Sequence, residues 1–71
     1  EAETAEHVLP TLLKLAEDPV PNMRVGAARC LDYVGGLLSD EIRSRDVMPT
    51  LKRMTEDVDR DVAHFARKSI K

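Results

Sequence analysis

Slid along itself by 39 positions, the 71-residue chain matches residues 8 to 31 with residues 47 to 70 without a gap. Seven positions are identical: Val8 with Val47, Pro10 with Pro49, Thr11 with Thr50, Leu12 with Leu51, Glu17 with Glu56, Asp18 with Asp57 and Ala27 with Ala66. Others keep their character, among them Leu9 with Met48, Lys14 with Arg53, Leu15 with Met54, Met23 with Val62 and Leu31 with Ile70. The match runs through a short polar stretch and both its flanks, so it records a repeated supersecondary unit rather than two generic helices. A period of this length points to stacked helical hairpins, because one hairpin cannot hide its apolar faces alone.

Two stripes of helical spacing can be read in each unit. The first is Val8, Leu12 and Leu15, matched by Val47, Leu51 and Met54; the second is Met23, Ala27, Leu31 and Val34, matched by Val62, Ala66 and Ile70. Between them lie "EDPVPN" and "EDVDRD", short and polar. The pattern predicts an all-α fold, an α-α superhelix of two stacked antiparallel hairpins. Residues 1–38 form the first, with helices near 3–17 and 21–35; residues 39–71 form the second, with helices near 40–56 and 60–70. Each hairpin has a helix A followed by a helix B.

The punctuation agrees with these bounds. Pro21 suits a first helical position, where a missing N–H costs nothing, and Asp59 can accept from the free amides that open the next helix B. Gly35 and Gly36 end the first helix B, and Ser39 or Asp40 caps the second helix A. Pro10 and Pro49 fall inside the A helices, each removing the bond to the carbonyl four residues back, so both A helices are expected to bend in register.

A chain this short seldom draws more than about 3 to 5 kcal/mol from a lone core, so it needs a staple or a neighbour. Cys30 is the only cysteine, which leaves no internal disulfide, and with His7 and His64 it lacks zinc-ligand spacing. The formal charge is -2, from 11 basic and 13 acidic residues, with both signs interspersed. That balance argues against nucleic acid and against a polybasic membrane anchor, and points to protein partners. The opening "EAETAE" has no signal-peptide character. The expected setting is reducing, cytoplasmic and also nuclear. Glu1 at the start and a helix-like run at the end suggest an excerpt of something longer.

The residues Pro10, Leu12, Leu15, Asp18, Met23, Arg24, Ala27 and Leu31, with Pro49, Leu51, Met54, Asp57, Val62, Ala66 and Ile70, follow a pattern that resembles a HEAT repeat. Ala63 departs from it, standing where a basic residue is expected. More narrowly, "VLPTLLKLAEDPVPNMRVGAARCLDYVG" and "VMPTLKRMTEDVDRDVAHFARKSI" are similar to the last two repeats of the scaffold (A) subunit family of protein phosphatase 2A. The resemblance implies a non-catalytic regulatory scaffold that holds a serine/threonine phosphatase catalytic subunit, with further HEAT repeats preceding it. It also implies a ladder in which Arg24 bridges Asp18 and Asp57. By the same carry-over, the partner-binding ridge comprises Pro19, Val20, Pro21, Asn22 and Arg24 in the first unit. In the second it comprises Val58, Asp59, Arg60, Asp61 and His64. Ala63 and Lys52, which stands where the first unit has Leu13, suit a terminal unit with a polar outer flank. The flank around Ala5, Val8 and Leu12 and onto helix B is expected to be partly exposed and to drive self-association.

Other chemistries fit less well. "DVDRD" opens like a calcium loop, but Val62 and Lys68 stand where that loop needs glycine and glutamate, and a helix start rich in acids accounts for it. The solenoid enzymes that resemble this fold, the di-iron deoxyhypusine hydroxylases, carry repeated His-Glu pairs that this sequence lacks. No catalytic residue, metal ligand or cofactor is therefore expected. A HEAT or armadillo scaffold from nuclear transport or chromosome organisation shares every core feature and stands as the alternative. Cys30 is expected to be a small buried residue. Phe65, whose counterpart is Gly26, is not required by the shared core, and either fills the end of the stack or faces a bound protein.

Overall fold

The computed structural model describes residues 2–70, with side chains from residue 4. The helices are α1 (Ala2–Leu15), α2 (Pro21–Gly35), α3 (Asp40–Ile42), α4 (Met48–Met54) and α5 (Arg60–Ile70). A π-helical turn, Arg43–Val47, joins α3 to α4, so residues 40–54 form one rod. Among the described residues there is no strand. The molecule is two helical hairpins side by side, α1 with α2 and the 40–54 rod with α5, measuring 32 × 22 × 15 Å. The B helices α2 and α5 carry most of the contact between hairpins, and α2 also touches the π turn and α4.

Each end is set by local chemistry. Val20 is extended ahead of α2, and Pro21 opens the helix where no donor is needed. Ser39 caps α3 by accepting from the Ile42 amide at 3.3 Å. Asp59 precedes α5, and its Oδ1 accepts from the amides of Asp61 at 2.9 Å and Val62 at 3.1 Å. At the far end of α2, Arg43 reaches back to donate to the Gly35 carbonyl at 3.1 Å, placing a cation at the negative helix terminus.

The core differs in detail from the stripes read in the sequence. Along α1 the buried residues are Ala5, Leu9, Leu12 and Ala16, while Val8 is 38% exposed and Leu15 only partly buried. Along α2, Ala27, Ala28, Leu31 and Val34 are buried, while Met23 is 50% exposed. Cys30 is exposed too, contrary to expectation. It lies with Met23, Gly26 and Tyr33 on a face that points away from the second hairpin, where no described residue covers it. The open flank is therefore this face of α2 together with Val8, and not the surroundings of Ala5 and Leu12. Leu31, Leu51, Val47 and Val62 are the largest fully buried side chains, each stabilising by about 1.5 to 3 kcal/mol through removal from water.

The two prolines occupy different backbones. Helix α1 is α-helical straight through Pro10. Pro49 instead follows the π turn, in which the Met48 amide bonds to the Arg43 carbonyl five residues back. The wider turn has a packing reason. It brings Ile42 and Val47, five residues apart, both against the core, where an α-helical spacing would put them on different faces. The buried Thr50 hydroxyl donates to the Asp46 carbonyl at 2.9 Å and so has its partner there.

Candidate functional site

The two A–B turns, residues 16–20 and 55–59, are built alike. In the first, the Asp18 carboxylate accepts from the Val20 amide at 2.8 Å; in the second, the Asp57 carboxylate accepts from the Asp59 amide at 2.8 Å. Each aspartate folds the chain over its own side chain, which is why Asp recurs at this position. The tips then carry apolar residues outward, with Val20 half exposed and Val58 97% exposed.

Arg24 locks the turns together. Its Nε donates to Asp57 Oδ2 at 2.8 Å and its Nη2 to Asp57 Oδ1 at 3.1 Å, a two-pronged contact across hairpins. Its Nη1 donates to the Asp18 main-chain carbonyl at 2.7 Å. Arg24 thus bridges Asp18 and Asp57 as the resemblance implied, meeting Asp57 through the carboxylate and Asp18 through the backbone. The Asp18 carboxylate is occupied by its own turn. Both side chains of the Arg24–Asp57 pair are about 14% exposed. The hydrogen bonds from Arg24, with the Asp59 amide and the arginine charge adding to them, hold the Asp57 carboxyl below the usual carboxylate range despite partial burial. The same pairing raises Arg24.

These bonds sort the candidate partner-binding residues. Pro19, Val20, Pro21 and Asn22 form an exposed, uncharged tip, and Val58, Arg60, Asp61 and His64 form an exposed tip that carries charge. Arg24 and Asp59 differ from them in having intramolecular partners, Arg24 in the staple and Asp59 Oδ1 in the cap of α5. Around the second tip lies an open groove of about 1000 Å³ bordered by Val58, Arg60, Asp61, His64 and Arg67. Arg67 also donates to the Thr55 carbonyl at 3.1 Å, closing the end of α4.

Phe65 lies elsewhere. It is half-buried against the core between α5 and α2, with the Arg29 guanidinium 5.6 Å from the ring centroid and the His64 ring edge-on at 5.5 Å. It does not fill the end of the stack. Sequence reasoning did not foresee Arg29 over this ring. The signal available was the pairing of Gly26 with Phe65, which marks where the second hairpin adds bulk.

Residues 8–38 match the HEAT repeat family. The chain is similar to the serine/threonine-protein phosphatase PP2A 65 kDa regulatory subunit of Drosophila melanogaster, 40% identical over 56 residues, 79% of this chain and 10% of that protein. It is similar also to the regulatory A subunit of protein phosphatase PP2A from Saccharomyces cerevisiae, 35% identical across 92% of this chain and 11% of that protein. The chain spans about a tenth of the length of the curated relatives it matches.

Proposed function

The chain belongs to the HEAT-repeat family, and from that premise we propose that it is two repeats of a non-catalytic, protein-binding scaffold of the phosphatase regulatory A-subunit kind. Residues 39–70 form the second repeat, and its exposed flank carries the polar residues Arg60, His64 and Arg67. The A–B turns hold a serine/threonine phosphatase catalytic subunit. The observation that carries this reading is the Arg24 staple, which fixes the two turns side by side and leaves Val20 and Val58 projecting from a rigid base. Preorganised apolar tips give a partner contact area without an ordering cost. The chain acts by binding, and the open α2 face with Met23, Cys30 and Tyr33 accepts a further repeat or, in its absence, a second copy.

The test is titration of the chain with a phosphatase catalytic subunit, followed by the variants Val20→Asp and Val58→Asp. Each variant is expected to weaken binding by roughly tenfold or more, because a buried apolar anchor becomes a charge. Unchanged affinity in both variants, or no binding by the unaltered chain at concentrations that saturate the relatives, would refute the reading.

A further inference from the structure

A second surface lies on the B-helix face, away from the turns. It is a groove of about 400 Å³ between α2 and α5, bordered by Arg29, Asp32, Phe65, Lys68 and Ser69. Arg29 is eight residues beyond the start of α2, so the groove is about 12 Å along the helix from the turn. Its floor is the half-buried Phe65 ring. The matched position in the first hairpin is Gly26, where an added Cβ would meet nothing within 4 Å, so the repeat does not demand an aromatic there.

The charges at the rim are unspent. Among the described residues Arg29, Lys68 and Asp32 take part in no salt bridge. Arg29 rests over the Phe65 ring, within the roughly 6 Å at which a cation is attracted to a ring face. Two cations against one carboxylate make a locally positive strip on a chain whose formal charge is -2. Ser69 is not available as a rim donor, because its hydroxyl donates to the Phe65 carbonyl at 2.8 Å.

We propose that this groove binds an acidic peptide segment of a partner protein, with an apolar side chain on the Phe65 ring and flanking carboxylates on Arg29 and Lys68. Arg29 is suited to a carboxylate because its planar fork can meet both oxygens at once. Asp32 disfavours basic segments and sets the sign preference. Packing of α2 against α5 keeps the floor rigid, so binding needs no rearrangement of the chain.

The experiment follows backbone amide NMR shifts of the whole chain during titration with a blocked hexapeptide carrying two glutamates on each side of a Phe-Leu pair. The control has lysines in place of the glutamates. Shifts are expected around Arg29, Asp32, Phe65 and Lys68 with the acidic peptide alone, and binding should weaken as salt rises. Arg29→Glu with Lys68→Glu is expected to weaken binding by roughly tenfold or more. These exposed reversals leave the core intact and so serve where Phe65→Ala disturbs folding. Equal binding of the lysine peptide, shifts confined to the turns near Val58, indifference to the charge reversal, or preference for a single-stranded oligonucleotide would each overturn the proposal.

Discussion

Val8 and Val47 occupy matched positions in the two hairpins, as do Met23 and Val62, yet the first of each pair is open to water and the second is buried. Val8 is 38% exposed against 1% for Val47, and Met23 is 50% exposed against 0% for Val62. Sequence alone assigns both members of each pair to one stripe. The difference comes from the neighbour: the second hairpin leans on α2, while the matching face of the first meets no other element among the described residues. In a stacked repeat a position carries a place in the register, and the adjoining unit decides whether that place becomes core.

The largest effect should come from truncating the matched pair. Val62→Ala is expected to destabilise by about 2 kcal/mol through lost burial and a residual cavity, and Met23→Ala by less than about 0.5 kcal/mol, both read by urea unfolding. Similar losses would break the comparison. The helix entries come next, because α5 has a capping side chain and α2 has none. Asp59→Ala should cost about 1 kcal/mol, and Val20→Asp, at an extended residue ahead of α2, should gain a few tenths to about 1 kcal/mol. A gain there would also separate lost partner binding from lost folding in that variant.

Gly26→Ala should stabilise by about 0.5 to 1 kcal/mol, since the glycine sits in a helix interior with open space at its Cβ. The last effect is present at neutral pH and disappears in acid. Asp57 titrates below its unfolded value of about 3.9, so its contribution is complete above that pH and is lost as pH falls through the lower folded value. Asp57→Asn should therefore flatten the acid limb of stability against pH below about 4, relative to the unaltered chain. An unchanged limb would remove Arg24–Asp57 from the account.

Much of the architecture was legible because its signals are local. Pro21 fixes a helix start through its missing donor, Asp59 and Ser39 cap through short side chains, and the 39-residue register announces the pairing of hairpins. The contact of Arg24 with Asp57 was readable from the spacing that the family resemblance supplied, but its contact with the Asp18 carbonyl was not, because a pattern of side chains does not record a backbone acceptor. The open position of Val8 was expected, whereas the exposure of Met23 and Cys30 was illegible for a different reason. Residues meant for a neighbouring surface have the same apolar character as residues meant for the core. The π turn escaped for a third reason, since it needs Ile42 and Val47 to be weighed together at a spacing of five, which no α-helical template counts. Of the candidate ridge, the exposed tips at Val20 and Val58 follow from turn chemistry, while the intramolecular bonds of Arg24 and Asp59 show only in the structure.

The most direct test of the central claim uses thiol labelling at the matched pair, with Met23→Cys and Val62→Cys made separately in a Cys30→Ser background. Both are measured in dilute, native conditions against the unfolded chain. The account predicts that the thiol at position 23 reacts within about tenfold of the unfolded rate. It predicts that the thiol at position 62 is slowed by at least about a hundredfold, as a stability near 3 kcal/mol allows. Equal protection at the two positions would contradict it.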